Sequence, residues 1–106
     1  MKIIVFGGGG FLGSYVADAL TEVGHDVTIF GRAQSKYLQP GQKMIIGDIT
    51  DQKTVEKAVE GCDVVYNFAA VADIDVAKDN PIDVVKVNIL GNTYALEAAR
   101  KAGLGV

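Results

Sequence analysis

Apolar and polar positions along this chain fall into two alternating kinds of block. Short apolar runs of strand length are followed by longer stretches in which apolar residues return every third or fourth position. Residues 2–6, Lys-Ile-Ile-Val-Phe, predict a first strand. Across 11–23, Phe11, Leu12, Tyr15, Val16, Ala19, Leu20 and Val23 repeat at helical spacing, Asp18 and Glu22 face outward, and Gly24 is placed to end the helix. Residues 26–30, Asp-Val-Thr-Ile-Phe, are β-branched and predict a second strand, which leads into Gly31 and Arg32. Residues 31–42 are polar, contain Pro40 and Gly41, and read as a loop with room for a short helical turn around Ser35 to Leu38. A third strand is predicted over 43–47. Thr50 or Asp51 then caps a helix over about 51–60, with Val55, Ala58 and Val59 as its inner stripe and Gly61 as its stop. A fourth strand is predicted over 63–68, followed by a loop or broken helical turn over 69–79. Asn80 and Pro81 open the last helix as N-cap and first helical residue. Ile82, Val85, Ile89 and Leu96 line one side of it, it ends near Lys101, and Gly103 follows.

Strands alternating with helical segments imply an α/β fold with a parallel sheet and helices on both faces. Right-handed crossovers give the strand order 3-2-1-4, a partial Rossmann sheet that stops before a fifth strand. The direction of winding reverses between strands one and four, so a ligand crevice is expected there, at the carboxyl ends of the strands. Four unusual clusters fall at those ends: Gly7 to Gly13, Gly31-Arg32, Asp48-Ile49, and Asn67 to Ala70.

The first cluster is the most informative. Gly7, Gly10 and Gly13 fit Gly-x-x-Gly-x-x-Gly, and Gly8, Gly10 and Gly13 also fit Gly-x-Gly-x-x-Gly, so the register is open. In either register glycine permits a tight turn with positive φ, and the missing Cβ lets a pyrophosphate approach the backbone. Gly13 lets the helix lie close to the strand, and the free N–H groups of the first helical turn face the phosphates. Its place between a strand and a helix, with Phe11 and Leu12 inside the loop-to-helix junction, is that of a dinucleotide-binding loop rather than a plain turn.

The end of strand two discriminates between cofactors. An acidic residue there accepts hydrogen bonds from the ribose 2′-OH of NAD and repels the 2′-phosphate of NADP. Here Gly31 holds that position and Arg32 follows, leaving space and positive charge for a phosphate; Ser35 can add a hydroxyl. This favours NADP, with NAD as the alternative and a plain solvated arginine as the plainer reading. Asp48 can hydrogen-bond the adenine amino group while Ile49 packs on the ring, or can serve only to cap the next helix. Asn67, Phe68, Ala69 and Ala70 close strand four with small residues that let backbone approach the ribose and nicotinamide, or that merely pack tightly. Asn88, in an apolar helical stretch, is a candidate to pin strand four to the helix by a side-chain to backbone bond.

Composition narrows the classes. Of 106 residues, 49% are hydrophobic and 22% charged, as expected for one globular domain over residues 1–106. The net charge of −3, with no basic cluster beyond Arg100-Lys101, argues against a nucleic-acid surface. The apolar runs are too short to span a bilayer, and the N-terminus is no signal peptide, so no membrane association and a cytoplasmic location are expected. Cys62 and His25 are the only residues of their kinds, so no intrachain disulfide and no cysteine-based metal site is expected; His25 sits at a helix-to-strand turn. Asp73, Asp75, Asp79 and Asp83 give the crevice region acidic character without the spacing of a metal site. Tyr15, Tyr37, Tyr66 and Tyr94 have Ala19, Gly41, Ala70 and Ala98 four residues on, so no Tyr-x-x-x-Lys pair exists and no catalytic residue is assigned.

Taken together, Gly7-Gly8-Gly9-Gly10-Phe11-Leu12-Gly13-Ser14, Gly47-Asp48-Ile49-Thr50-Asp51, Val64-Val65-Tyr66-Asn67-Phe68-Ala69-Ala70, Asn88-Ile89-Leu90-Gly91-Asn92-Thr93 and Leu96-Glu97-Ala98-Ala99 resemble the N-terminal part of an extended short-chain dehydrogenase/reductase of the NAD-dependent epimerase/dehydratase group. The resemblance strengthens the adenine role of Asp48. It implies NAD(P) binding and, for a complete protein, a nucleotide-sugar epimerase or dehydratase working by transient hydride transfer, an isomerase or oxidoreductase chemistry. An NmrA-like NADP-sensing module and an NADPH-dependent ketone or aldehyde reductase are the alternatives. The chain departs from the family pattern at Asn67, where His is usual, at Gly31, where Asp is frequent, and at Phe6, where Thr is frequent. The resemblance also implies roughly 200 further residues, carrying the Tyr-x-x-x-Lys pair and the substrate-binding part. Without them, the open edge of strand four invites pairing with another copy, so the isolated chain is expected to self-associate or to be poorly soluble; a homo-oligomer is expected.

Overall fold

In the computed structural model, residues 1–9, 11–69 and 78–104 are described, the side chain of Phe11 excepted. Strand β1 (Lys2–Phe6) leads into helix α1 (Phe11–Glu22), and β2 (Asp26–Gly31) and β3 (Lys43–Ile46) follow. Helix α2 (Gln52–Val59) precedes β4 (Val64–Asn67). The chain then forms one helical run made of α3 (Pro81–Val85), a π-helical segment (Lys86–Gly91) and α4 (Asn92–Ala102). All strand pairs are parallel and the order is β3-β2-β1-β4, as the crossover argument requires.

Alternation along the strands builds two cores, one on each sheet face. Ile3, Val5, Val27 and Ile29 meet Ala17 of α1 on one face. On the other, Ile4, Phe6, Phe30 and Val65 meet Val55 and Val59 of α2 and Val87, Ala95, Ala98 and Ala99 of the last helical run. The rings of Phe6 and Phe30 lie 4.8 Å apart at 59°, a tilted aromatic pair.

The predicted helix ends agree closely with the structure. Gly24 (φ +95), Gly61 (φ +75) and Gly103 (φ +72) each adopt the left-handed conformation that terminates a helix. Of the two candidate caps for α2, Asp51 takes the role, its carboxylate accepting the Thr54 N–H at 3.3 Å. Asn80 precedes Pro81 as expected but makes no side-chain cap bond; its carbonyl accepts the Val84 N–H instead. Residues 32–42 contain turns but no helical turn, and β3 and β4 are each shorter than predicted.

Two helices bury a different face from the one their large apolar residues mark. In α1, Gly13, Ser14 and Ala17 are buried, whereas Leu12 (62%) and Tyr15 (63%), and Val23 (72%) just past its end, are exposed; Asp18 is half-buried and accepts from Gln42 Nε2 at 3.0 Å. In the last helical run, Val87, Gly91, Ala95, Ala98 and Ala99 are buried, while Ile82, Val85, Ile89 and Leu96 face outward. The cause is distance. A Cβ on Gly13 would come 2.2 Å from the Gly7 carbonyl oxygen, and one on Gly91 would come 2.8 Å from Ile49 Cγ2. At these close approaches the helices admit no side chain, and next to them chiefly alanine and serine.

Candidate functional site

The strand register sets the site. Phe6 pairs with both Phe30 and Asn67, and Gly31 pairs with Ile46, so the four strands end at nearly one level. The backbone continues the ladders past those ends: Gly7 N–H donates to Phe30 O at 2.9 Å, Gly47 N–H to Gly31 O at 2.9 Å, and Phe68 N–H to Phe6 O at 2.8 Å. This draws Gly7, Gly31, Arg32, Gly47, Ile49 and Ala69 around one cavity of about 160 Å³, with Phe30 and Val87 completing its wall. A second cavity of about 410 Å³ shares Gly7, Gly31, Arg32 and Ala69 and adds Gly9, Ser35, Lys36 and Phe68. The shared residues make the two spaces one crevice at the carboxyl edge of the sheet.

The glycine loop is a backbone cradle. Gly7 has φ +77, and a Cβ there would lie 2.6 Å from the Phe68 carbonyl carbon. Gly8 and Gly9 do not need positive φ. Gly13 belongs to both patterns, so what separates them is the positive φ at Gly7, which Gly8 lacks. Gly10 and Ala70, and with them Asp73 and Asp75, lie outside the described residues, as does the side chain of Phe11. Leu12, expected at the cofactor, has its side chain exposed and lines neither cavity. Ser35 is buried against Gly9, whose Cβ would stand 3.4 Å from that of Ser35, and its hydroxyl accepts the Tyr37 N–H at 3.1 Å.

The other end of the crevice is built from charge. Arg32 is half-exposed and reaches Asp83 of α3 through two hydrogen bonds, Nη1 to Oδ2 at 3.4 Å and Nη2 to Oδ1 at 3.3 Å. Its Nη2 also stands 3.6 Å from Asp48 Oδ1. The Asp83 carboxylate, assisted by Asp48, raises the Arg32 pKa above its ordinary value against the opposing effect of burial. The Asp48 carboxyl is held below its ordinary value, first by the Thr50 hydroxyl and Thr50 N–H, which donate to Oδ1 at 2.7 and 2.9 Å, and then by Arg32. Asp48 thus orders the turn that leads into α2 and stands beside Arg32, while the cap of α2 itself is Asp51. Ile49 is buried, lines the cavity and packs on Gly91.

At the β4 end, the Asn67 amide donates to Asn92 Oδ1, its own oxygen accepts the Ala69 N–H at 3.0 Å, and Asn92 Nδ2 donates to the Asn88 carbonyl at 2.7 Å. Strand four is thus tied to the helical run by the Asn67–Asn92 side-chain pair, and the Asn88 carbonyl accepts from the same Asn92 amide. Local sequence gives no sign of this pairing, nor of Asp83 meeting Arg32, because both depend on where the crossover after β4 lands. Among the described residues no group of three or more His, Cys, Asp and Glu side chains is arranged to hold a metal ion, and no helix is long and apolar enough to cross a membrane.

Parallel strands in this order, with a glycine cradle at the switch point, define a Rossmann-type domain. The chain matches the NAD dependent epimerase/dehydratase family over residues 3–106 and belongs to that family. It is 34% identical over 113 residues to a dTDP-glucose 4,6-dehydratase of Mycobacterium tuberculosis, covering 98% of this chain and 34% of that protein. It is 38% identical over 106 residues to a 2-alkyl-3-oxoalkanoate reductase of Stenotrophomonas maltophilia, covering 99% of this chain and 31% of that protein. The crystal structure of a Thermus thermophilus UDP-glucose 4-epimerase in complex with NAD superposes with a TM-score of 0.88 at 29% identity, covering 98% of this chain and 35% of that one. The chain thus spans about a third of the length of the curated relatives it matches.

Proposed function

We propose that this chain is the NAD(P)-binding segment of a nucleotide-sugar epimerase or dehydratase. The observation that carries the reading is the cradle: Gly7 and Gly13 leave no room for a Cβ, and Gly7 and Gly9 line a crevice at the switch point of the sheet. Gly7, Gly9, Gly10 and Gly13 would hold the pyrophosphate, Gly31, Arg32 and Ser35 the adenosine ribose, Asp48 and Ile49 the adenine, and Phe68, Ala69 and Ala70 the nicotinamide side. When bound, the nicotinamide supplies the hydride acceptor and donor; the chain's own residues bind and aim it. In the complete protein a sugar hydroxyl is oxidised, the resulting ketone is acted on, and the hydride is returned. The names of the dehydratase and epimerase relatives support a nucleotide-sugar substrate.

A ketone reductase is the second reading, supported by the relative at 38% identity. Arg32 supports acceptance of NADP alongside NAD, with NADP favoured. The outward-facing Ile82, Val85, Ile89 and Leu96 support a homo-oligomer, and a cytoplasmic location completes the reading.

Calorimetric titration with NADP+ and NAD+ tests the binding assignment, with Gly7→Val as control. Saturable binding by the natural chain and none by the variant is expected; equal binding by both would refute the cradle. For the whole protein, interconversion of a nucleotide sugar without net consumption of cofactor separates the epimerase or dehydratase from the reductase, which consumes NADPH stoichiometrically.

A further inference from the structure

Arg32 is the residue on which NADP recognition rests, and it is already engaged. Its guanidinium joins three elements at the mouth of the crevice: the end of β2, which carries it, the turn after β3, which carries Asp48, and α3, which carries Asp83. With one arginine and two carboxylates ionised, this cluster sums to −1, with Lys36 the further cation on the crevice wall, so Arg32 itself is screened from a phosphate while a hydroxyl can still donate to a carboxylate. The two partners are not equivalent. Asp48 has its Oδ1 committed to Thr50 and touches Arg32 only at 3.6 Å. The Asp83 carboxylate meets Arg32 with both oxygens, at 3.3 and 3.4 Å, and makes no other hydrogen bond among the described residues. Those distances exceed the roughly 2.7–2.9 Å of a tight charge-assisted bond, so the pair opens at little cost. Position 31, where a carboxylate would serve the same purpose, is a glycine whose absent Cβ would touch nothing closer than Met44 Cε at 3.5 Å.

We propose that Asp83 is the cofactor-specificity residue of this site: from α3 it supplies the negative charge missing at Gly31, holds Arg32, and limits the advantage of NADP over NAD. The inference rests on the reading that Arg32 faces the adenosine 2′ position. A 2′-phosphate must displace Asp83 from Arg32 before it can be bound, whereas the 2′-hydroxyl of NAD leaves the pair in place. Asp83 lines neither of the cavities walled by Gly7 and Gly9, so its charge acts on discrimination and not on binding of the shared pyrophosphate.

The test is a calorimetric comparison of NADP+ and NAD+ binding to the natural chain, Asp83→Asn, Arg32→Ala and the double variant. Asp83→Asn is expected to tighten NADP+ by about tenfold, which is about 1.4 kcal/mol, and to change NAD+ by less than about twofold. The double variant is expected to show no gain over Arg32→Ala. A selective loss of NADP+ in Arg32→Ala, with no change in the NADP+ to NAD+ ratio in Asp83→Asn, overturns the role of Asp83 alone. Unchanged NADP+ affinity in Arg32→Ala, or no binding of either cofactor to the natural chain, overturns the reading of Arg32 beneath it.

Discussion

The two ends of the crevice are made by different means. At the glycine loop the site is backbone: its shape comes from missing side chains, a positive φ at Gly7 and the approach of α1 to β1 at Gly13. At the far end it is side chain: Arg32, Asp48 and Asp83 arrive from three separate elements and are held by mutual attraction. Steric complementarity tolerates almost no substitution, because a clash cannot be screened or rotated away. Half-exposed charge tolerates substitution well, because water and salt stand in for a lost partner. The glycine end is therefore expected to decide whether a dinucleotide binds, and the charged end which one.

The sharpest way to break that division is at Gly13. A Cβ there would sit 2.2 Å from the Gly7 carbonyl oxygen, so Gly13→Val is expected to destabilise the fold by about 3 kcal/mol and to abolish binding of both cofactors. Urea unfolding with a parallel titration checks both. Gly31→Asp comes next and tests the other end. The side chain has room, so the unfolding midpoint should hold within about 0.5 kcal/mol. NADP+ affinity should fall at least about tenfold relative to NAD+, measured by calorimetry.

Asn92→Ala lies between the two ends. It removes the acceptor of the Asn67 amide and one donor to the Asn88 carbonyl, and is expected to cost about 0.5 kcal/mol of stability and to weaken both cofactors alike. Chemical unfolding reads the first and the ratio of two titrations the second. The smallest effect concerns Asp48. Its carboxyl is held below its ordinary 3.8, chiefly by Thr50, so its contribution is fully present above that value and is lost as pH falls through the lowered folded value. Because Asp48 is half-exposed, Thr50→Ala should only slightly flatten the fall of the unfolding midpoint below about pH 4.

What could be read in the sequence follows the same division. Every strand, the sheet order and the helix-ending glycines depend on local pattern, and residues 2–6, Gly24 and Gly61 announce them. The cradle was equally legible, since Gly-x-x-Gly-x-x-Gly after a strand carries its own mechanical reason. The inner faces of α1 and of the last helical run were not, because a large apolar residue is the usual mark of a core and here close approach selects Gly13, Ala17, Gly91 and Ala95 instead. In the last run the π-helical segment at Lys86–Gly91 also interrupts the regular period on which such a reading depends. The Arg32–Asp83 pair was illegible for a third reason. Fifty-one positions separate the partners, and only the folded crossover brings them together.

The most direct test of the account is to follow the backbone amides of the isotopically labelled chain by NMR during titration with NADP+. The account predicts saturable shifts concentrated at Gly7 to Gly13, Gly31 to Ser35, Gly47 to Thr50 and Phe68-Ala69, all at the carboxyl edge of the sheet. Shifts gathered instead at Gly24, Gly61 and Gly103, or no saturable shift at the glycine loop, would contradict it.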